Sequence, residues 1–458
     1  MTETYDAIII GAGQSGPFLA VRLAEAGRKV ALIERTRLGG TCVNNGCIPT
    51  KTMVASARAA HVARTAAKYG VSTGPVSVDY SKVKARKDEI VASSVQGLVD
   101  WMGTTKGLTL IMGAAKFTGP HEVEVNGKRL TAPQIFINTG GRPVLPDWPG
   151  LSDVPYLTNV SLMDLEVLPS HLLIVGGSYI GLEFAQMFRR FGSEVTVVEH
   201  GEALIAREDE DVSAAVREIL EGEGIALHFV SRDFSVAKDG AGVTLSFSSR
   251  GEQRLVKGSH LLVATGRRPN SDGLGLDVAG VALDARGYIT VNDTLETNVP
   301  GLFALGDINA RGAFTHTSYN DFEIVAANQL DGGNRKVSDR IPAHNLYIDP
   351  PLGHIGLSER EIKAKGIKAL KGVLPMARVG RARERDETQG FMKILVDAES
   401  KLILGAVLLG IEADEVVQSI LHVMAAKQPY TLITETMHIH PTVSELLPNV
   451  FDHLVPVE

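Results

Sequence analysis

The sequence predicts an α/β protein with two repeated strand–turn–helix units and a separate C-terminal α+β module. The first observation is an apolar, strand-like run at residues 5–10, followed at once by a glycine-rich turn at residues 11–16 and a helical pattern. The second is the return of the same order of elements at residues 172–191. The third is a change of pattern near residue 341, after which a helix, a hairpin and an amphipathic helix follow one another.

Length, composition and charge narrow the class of protein. The chain has 458 residues, of which 47 are glycine and 44% are hydrophobic, which is typical of an α/β protein with several domains and many tight turns. A net charge of −7, an aromatic content of 5% and the lack of a long basic run argue against a nucleic-acid-binding surface. No apolar run approaches the ~20 residues that cross a bilayer, so we expect no membrane association. Because the acidic N-terminus lacks a basic region ahead of an apolar segment, we expect a cytoplasmic protein.

The first glycine-rich turn is typical of a dinucleotide-binding site. Gly11 permits the tight turn, Gly13 lets backbone N–H groups approach a pyrophosphate at the helix N-terminus, and Gly16 allows close packing. Glu34 ends the next predicted strand, 23 residues after Gly11, where a carboxylate accepts hydrogen bonds from an adenosine ribose. The motif alone is weak evidence, but its place between a strand and a helix makes it specific.

The second turn repeats the first in register. Gly176 and Gly181 follow a predicted strand, a helix comes next, and Glu199 stands 23 residues after Gly176, the same interval as in the first unit. Ser178 replaces the middle glycine, so we expect a second pyrophosphate to be held more loosely. Two units of this kind predict two dinucleotides bound to one chain.

Both cysteines of the chain lie within residues 39–51. On a regular helix the Cα atoms of Cys42 and Cys47 would be about 8.6 Å apart, which is too far for a disulfide. If the two residues pair, the backbone between them departs from helix, and Gly46 and Pro49 permit or mark such a departure. A close thiol pair is typical of a redox switch, whereas a buried structural pair and two free core thiols are the alternatives.

Later segments supply further candidate residues. Residues 135–143 and 261–270 each run from a strand through Thr-Gly to a proline, and they predict the points where the chain leaves each unit. Asp307 follows another strand at its carboxyl end, where open α/β sheets bind ligands. Near the C-terminus, His440 and Glu445 are candidates for an acid–base pair, with polar packing as the alternative for the histidine and helix capping for the acid.

These motifs, in this order and spacing, resemble the FAD-dependent pyridine nucleotide-disulfide oxidoreductases, the family of dihydrolipoyl dehydrogenase, glutathione reductase and mercuric ion reductase. The resemblance covers the whole chain, and residues 380–390 and 444–447 are most similar to the mercuric-reductase-like branch that includes flavoproteins of reactive-chlorine resistance. It implies two Rossmann-like dinucleotide-binding domains and a C-terminal α+β dimerisation domain. The implied boundaries are 1–148 with 270–340 for FAD, 149–269 for NAD(P), and 341–458 for the dimer interface.

The resemblance also implies catalytic roles. Cys47, nearer the flavin, would form the charge-transfer thiolate and take up electrons, whereas Cys42 would be the interchange thiol that attacks the substrate. His440 would be the acid/base for Cys42, oriented by Glu445. In family members these last two residues come from the partner subunit, so the resemblance implies a homodimer.

Cofactor contacts follow from the resemblance in the same way. Lys51 and Glu183 match the ion pair beside the flavin ring, Tyr179 matches an aromatic gate over the nicotinamide pocket, and Asp307 would hydrogen-bond the ribityl chain. The helix beginning near residues 315–317 would aim its positive end at the flavin. The remaining expected contacts are Gly11, Gly13, Gly16, Glu34, Thr41, Ala115, Thr139, Gly140, Gly176, Gly181, Glu199 and Gly266. No resident metal site is predicted.

The sequence indicates the coenzyme and the substrate in less detail than the fold. Glu199 would accept from a ribose 2′-hydroxyl but repel a 2′-phosphate, which favours NADH, while His200 and Arg207 keep NADPH open. A full-length mercuric reductase needs more cysteines than the two of this chain, Cys42 and Cys47. We therefore expect electron transfer from NAD(P)H to a disulfide, small oxidant or metal-ion substrate. The alternatives are a dihydrolipoyl dehydrogenase and a non-catalytic redox sensor, and a sensor would need no acid–base pair.

Overall fold

A five-stranded parallel sheet carries the first glycine-rich turn. The computed structural model describes residues 2–457. The strands of this sheet lie in the order Leu302–Ala304, Gln134–Ile137, Ala7–Ile10, Val30–Glu34 and Leu108–Met112. Every neighbouring pair is parallel. The three central strands are almost wholly buried, which explains their continuous apolar sequences.

A second five-stranded parallel sheet carries the repeated turn. Its strands lie in the order Tyr156–Leu157, His260–Val263, His171–Val175, Glu194–Val198 and Ala226–His228. All of its pairs are parallel as well. In sequence, the whole of this sheet falls between two adjacent strands of the first sheet, so the second unit is inserted into the first.

The two glycine-rich turns make the same close contact. A Cβ atom on Gly16 would lie 2.2 Å from the carbonyl oxygen of Gly11, and one on Gly181 would lie 2.0 Å from the carbonyl oxygen of Gly176. Gly11 and Gly176 themselves adopt φ of +104° and +122°, which other residues rarely reach. Helices Gly16–Glu25 and Tyr179–Phe191 follow. The repeat predicted from the sequence is therefore a repeat of backbone geometry.

A smaller sheet accompanies each unit, mixed in the first, where Glu3–Thr4 pairs in parallel with Lys128–Thr131, and antiparallel in the second. The first unit adds Glu3–Thr4, Lys116–Gly119, Glu122–Val125 and Lys128–Thr131, and the second adds Ser231–Asp239, Gly242–Ser249 and Glu252–Gly258. The two Thr-Gly exit segments pair with each other, because strand Gly141–Pro143 runs antiparallel to strand Arg267–Pro269. The chain therefore crosses between the units along one two-stranded ribbon.

Further α-helices join and flank these sheets. The helix Tyr80–Thr104 begins after Asp79, whose carboxylate accepts from the N–H of Lys82. The others are Gly40–Asn45, Cys47–Thr65, Asn159–Leu162, Glu210–Gly222 and Thr315–Leu330, and, in the C-terminal module, Glu359–Lys365, Gly380–Glu384, Ala413–Ala425 and Thr431–Glu435. Within the described residues, no helix is both long enough and apolar enough to cross a membrane.

The C-terminal module is built on a six-stranded antiparallel sheet. Its strands lie in the order Ala343–Leu346, Leu352–Gly356, Ile403–Leu409, Phe391–Asp397, Ala369–Pro375 and Val455–Pro456. The predicted hairpin is its central strand pair, and Ser358 forms a capping box with Glu361 at the start of a helix.

A buried lysine ties this module to the second unit. Lys393 has no exposed side-chain surface. Its Nζ atom donates to Asp209 at 3.0 Å, to Asp211 at 2.8 Å and to Glu359 at 2.9 Å. The ammonium is thus surrounded by carboxylates from both parts of the chain, an arrangement that offsets the cost of burying its charge.

Candidate active site

The helix that carries the cysteines is broken between them. Helix Gly40–Asn45 ends at Gly46, whose φ of −136° and ψ of −117° lie far from helical values, and helix Cys47–Thr65 begins at the next residue. A Cβ atom on Gly46 would lie 2.8 Å from the carbonyl oxygen of Thr41. The predicted departure from regular helix is confirmed at Gly46, and it brings the two thiols within reach of each other.

The same segment is anchored on the first glycine-rich turn. The N–H of Gly39 donates to the carbonyl of Ala12 at 2.8 Å. A Cβ atom on Gly40 would lie 2.8 Å from the Cα atom of Gly13. The dithiol therefore starts from the turn that is expected to hold a pyrophosphate, and this fixes its distance from any dinucleotide bound there.

The two thiols differ strongly in acidity. A hydrogen bond from Cys42, assisted by Thr315 and Lys51, lowers the pKa of Cys47 to about 6. The Sγ atom of Cys47 lies 3.1 Å from the Oγ1 atom of Thr315. The pKa of Cys42 is raised, first by its hydrogen bond to Cys47 and then by burial. At neutral pH the reduced pair thus holds its thiolate on Cys47.

An ion pair stands one helical turn beyond Cys47. The Nζ atom of Lys51 lies 2.7 Å and 2.8 Å from the two carboxylate oxygens of Glu183. Glu183 is buried and also accepts from the N–H of Tyr347 at 3.0 Å, and the Lys51 ammonium sits 4.6 Å from the centre of the Tyr347 ring. The contacts hold a cation near the Cys47 thiolate, on the side facing the second unit.

The first turn fits a dinucleotide. Among the described residues, the N–H groups of Gly13, Gln14 and Ser15 have no hydrogen-bond partner at the start of helix Gly16–Glu25. Three free N–H groups at a helix N-terminus form a binding site for a pyrophosphate. Glu34 is held at the turn, where it accepts from the N–H of Ala12 at 2.8 Å.

The second turn has the same acid in the same place. Glu199 accepts from the N–H of Gly177 at 2.5 Å and from the N–H of Gly201 at 2.6 Å. Ser178, which stands in place of the middle glycine, is the extended residue before helix Tyr179–Phe191, and its side chain does not cap that helix. Both units therefore present a carboxylate beside a glycine-rich turn.

Arg267 gathers residues from three separate segments around the ribbon. Its guanidinium donates to the carbonyl of Gly141 at 2.6 Å, lies 3.5 Å from the Oγ1 atom of Thr41 and lies 3.9 Å from a carboxylate oxygen of Asp307. Burial raises the pKa of Asp307, although Arg267 acts in the opposite direction.

Three of the other expected contacts stand directly before the two strands of the same ribbon. Thr139 donates through Oγ1 to the carbonyl of Asn270 at 3.1 Å. Gly140 and Gly266 adopt φ of +65° and +132° at the two turns. Ala115 is buried in the core of the first unit.

Tyr179 begins the helix after the second turn, and its hydroxyl is tethered. It donates to Glu208 at 2.6 Å and lies 2.9 Å from the Nε2 atom of His344. Burial and the Glu208 charge raise the pKa of Tyr179 well above its usual value, so the phenol stays protonated.

His440 and Glu445 form the expected pair. The Nδ1 atom of His440 lies 2.9 Å from a carboxylate oxygen of Glu445. The side chain of His440 is 78% exposed, whereas that of Glu445 is 11% exposed. The N–H of Glu445 also bonds to Thr442 at 3.2 Å, so the capping contact coexists with the pair. Among the described residues of one chain, His440 makes no hydrogen bond to either cysteine.

The comparisons with known proteins agree with this geometry. A family model described as pyridine nucleotide-disulphide oxidoreductase matches residues 5–323, and a model of the dimerisation domain of the same proteins matches residues 343–450. The chain belongs to this family. Pyridine nucleotide-disulphide oxidoreductases depend on FAD and NAD(P)H, and when bound the FAD transfers electron pairs between the pyridine nucleotide and a dithiol.

The alignments with individual relatives cover nearly the whole of this chain. The dihydrolipoyl dehydrogenase of Thermus scotoductus is 34% identical over 97% of this chain and 96% of its own length. The mercuric reductase of Bacillus cereus is 33% identical over 96% of this chain and 70% of its own length. The solved Cu(II) complex of the HOCl-induced flavoprotein disulfide reductase RclA from Escherichia coli superposes with a TM-score of 0.89 at 33% identity, covering 98% and 99% of the two chains. The predicted family, fold class and enzyme class are confirmed.

Sequence reasoning missed three features of the oxidoreductase site. The contact of Thr315 with Cys47 was not expected, although a helix start was placed there. Asn138 was not singled out, yet its side chain accepts from the N–H of Gly16 at 3.2 Å and donates to the carbonyl of Leu305 at 2.8 Å. A polar residue ending an apolar strand was the available signal. The partners of Tyr179 gave no signal at all, because they come from distant segments.

Proposed function

We propose that this enzyme takes electrons from NADH through FAD to the Cys42–Cys47 pair and passes them to a disulfide or another small oxidant. The observation that carries the proposal is the place of the Cys47 thiol, 3.1 Å from Thr315 at a helix N-terminus and on a segment anchored to the first glycine-rich turn, which favours its thiolate over that of Cys42. A dithiol that reduces a substrate needs one sulfur that is stable as thiolate and another that attacks once it loses its proton.

In the proposed thiol–disulfide exchange, Cys42, Cys47 and His440 have separate roles. After Cys42 loses its proton to His440, its sulfur attacks one sulfur of the substrate disulfide and releases the other as a thiol, which takes the proton from His440. The Cys47 thiolate then attacks the Cys42 sulfur, which re-forms the Cys42–Cys47 disulfide and releases the second half of the substrate. Two electrons leave the protein in each cycle, and the incoming pair restores both thiols.

His440 belongs, in this proposal, to the other subunit of a homodimer. Three observations support it: the exposure of His440, the match of residues 343–450 to a dimerisation domain, and the exposure of Met437 and Ile439 beside the histidine at 89% and 75%. Such apolar side chains are typical of a surface that a partner covers. Glu445 would orient the imidazole and stabilise its charged form.

The cofactor assignments extend the same proposal. FAD would bind to residues 1–148 and 270–340, NADH to residues 149–269, and residues 341–458 would form the interface. The preference for NADH rests on Glu199, whose carboxylate would repel a 2′-phosphate. Thr41, Ala115, Thr139, Gly140, Gly266 and Asp307 would line the flavin, and Tyr179 would cover the nicotinamide pocket. We place the enzyme in the cytoplasm.

Reduction by NADH tests the electron path. We expect the wild-type holoenzyme to show the long-wavelength absorption that a thiolate beside oxidised flavin produces, and Cys47→Ser to lose it. Cys42→Ser should retain the absorption, because the Cys47 thiolate is still present. Absence of the band in the wild-type protein would contradict the proposal.

Two other substrates have specific support. The His440–Glu445 pair and the relative named dihydrolipoyl dehydrogenase favour dihydrolipoamide oxidation by NAD. The relatives named mercuric reductase and a Cu(II) complex favour a metal ion. NADH oxidation should be compared with lipoamide, glutathione disulfide, Hg(II), Cu(II) and oxidised halide or thiocyanate species. A large preference for lipoamide would replace the first proposal with the second.

A further inference from the structure

A largely buried cluster of two histidines and a carboxylate lies beside the start of helix Thr315–Leu330, where the ring of His344 stacks on Phe314 at 5.5 Å. His344 and His354 are directly opposite each other on the antiparallel strands Ala343–Leu346 and Leu352–Gly356, so their side chains project from the same face. Glu208 reaches them from the second unit, just before helix Glu210–Gly222. Three segments that are far apart in sequence therefore bring ligand-type side chains to one point.

The three side chains already converge on one small volume. The Nε2 atom of His344 lies 2.7 Å from one oxygen of Glu208, and the Nδ1 atom of His354 lies 2.6 Å from the other. One ligand atom from each residue lies within 4.8 Å of the other two. The side chains of Glu208 and His354 are 1% and 7% exposed, while that of His344 is 20% exposed.

We propose that Glu208, His344 and His354 form a binding site for a divalent transition-metal ion of the Zn²⁺ type. Two imidazole nitrogens and one carboxylate are a donor set that suits Zn²⁺, whereas Mg²⁺ prefers oxygen ligands alone. Binding of the ion breaks the hydrogen bonds between the two imidazoles and Glu208, and each neutral ring then offers the lone pair of one nitrogen while its proton sits on the other. A water molecule supplies the fourth ligand.

The surroundings favour an ion at this cluster over the neighbouring acidic group. Asp209, Asp211 and Glu359 also converge, but the Lys393 ammonium fills the space between them. No lysine or arginine bonds to Glu208, whose hydrogen-bond partners among the described residues are Tyr179 and the two histidines. The partial exposure of His344 gives an ion a route from solvent.

Zinc binding to the oxidised holoenzyme tests the site. With Cys42 and Cys47 held as a disulfide, the thiols do not compete for metal. Equilibrium dialysis against Zn²⁺, followed by metal analysis, should show one ion bound per chain at this site, and Mg²⁺ should not displace it. His344→Gln and His354→Gln should each weaken binding at least about tenfold, because each removes one ligand. His171→Gln is the matched control, because, among the described residues, the only carboxylate near His171 is that of Glu194, 3.7 Å away. The zinc affinity of this variant should equal that of the wild type.

The outcome does not depend on electron transfer. Bound FAD and the thermal midpoint measured without zinc establish that each variant is folded. If the His354→Gln variant fails to fold, the His344→Gln variant provides the test, because the side chain of His344 is partly exposed. A wild-type protein that binds no zinc, or a folded His344→Gln variant with unchanged zinc affinity, would overturn the proposal while leaving the proposed reductase activity intact.

Discussion

The Sγ atom of Cys47 lies 3.1 Å from the Oγ1 atom of Thr315, the first residue of helix Thr315–Leu330. The N-terminus of a helix carries partial positive charge and favours an anion. The thiol also stands one turn from Lys51, whose ammonium is held by Glu183. The thiolate form of Cys47 is therefore favoured by the helix N-terminus, by the Thr315 hydroxyl and by the Lys51 ammonium.

The acidity of Cys47 should depend on Cys42 more than on Thr315. In Cys42→Ser the only remaining thiol is Cys47, so the pH dependence of its alkylation measures its pKa directly. Serine retains a hydrogen-bond donor, and the midpoint should stay low, near the pKa of about 6 expected for wild type. Cys42→Ala should raise the midpoint, because it removes the largest stabilising contact.

Adding Thr315→Val to Cys42→Ser should raise the alkylation midpoint by a smaller amount than Cys42→Ala does. Thiol alkylation followed by mass spectrometry would measure it. Equal midpoints in all three variants would show that neither contact controls the thiolate.

Mixed dimers should reveal whether His440 acts across an interface. Cys42→Ser and His440→Gln should each be inactive in disulfide reduction. When the two variants are unfolded, mixed in equal amounts and refolded with FAD, heterodimers would contain one intact site, so about a quarter of wild-type activity should return. Each variant refolded alone is the control. No recovery in a mixture that contains heterodimers would place His440 and Cys42 of one site on the same chain.

Gly16→Ala should prevent normal FAD binding. The added Cβ atom would lie 2.2 Å from the Gly11 carbonyl oxygen, so the turn must open, at a cost of about 1–3 kcal/mol in the free energy of unfolding. The flavin-to-protein absorbance ratio of the purified variant measures the effect. Gly97→Ala is the control, because a Cβ atom on Gly97 meets nothing within 4 Å in the helix Tyr80–Thr104. That change should raise stability by about 1 kcal/mol and leave FAD content unchanged.

Lys393→Met should destabilise the protein strongly. Removing the ammonium leaves buried carboxylates without a counter-charge, which costs about 3–5 kcal/mol. Lys371→Met, in which a partly exposed partner of Glu359 is lost, should cost only about 0–1 kcal/mol. Thermal unfolding of both variants with FAD bound would compare them. Similar losses for the two lysines would mean that burial does not govern the contribution of Lys393.

Stability should also fall in acid because of this cluster. Burial raises the pKa of Asp209 and Glu359, but Lys393, together with backbone N–H groups at Asp209 and with Lys371 at Glu359, more than offsets that effect and holds both below their ordinary values of 3.8 and 4.5. Carboxylates with lowered pKa values stabilise the fold above those ordinary values, and the contribution is lost as the pH falls below them. The drop in melting temperature between neutral pH and about pH 3 should therefore be smaller in Lys393→Met than in wild type.

The parts of the molecule that depend on local sequence could be predicted. The turns at Gly11 and Gly176, the acids Glu34 and Glu199, and the capping box at Ser358 each follow from residues close together in the chain. Continuous apolar runs likewise predicted the central strands of both parallel sheets, because strands buried on both faces are continuously apolar.

Contacts between distant segments could not be predicted in that way. Cys47 and Thr315 are 268 residues apart, and Glu208 is separated from His344 by 136 residues. The local sequence around Thr315, at a helix start, does not indicate that it contacts Cys47. The local sequence around His344 likewise does not indicate Glu208. Such contacts are decided by how the sheets pack, and only the folded chain reveals them.

The ribbon formed by Gly141–Pro143 and Arg267–Pro269 gives the second unit the character of an exchangeable cassette. Its entry and exit lie side by side, with Arg267 opposite Pro143 and Pro269 opposite Gly141. Because the two ends are already paired, a homologous unit could replace the second unit at these positions, provided that it kept the contacts of Glu183 with Lys51 and of Asp209 with Lys393.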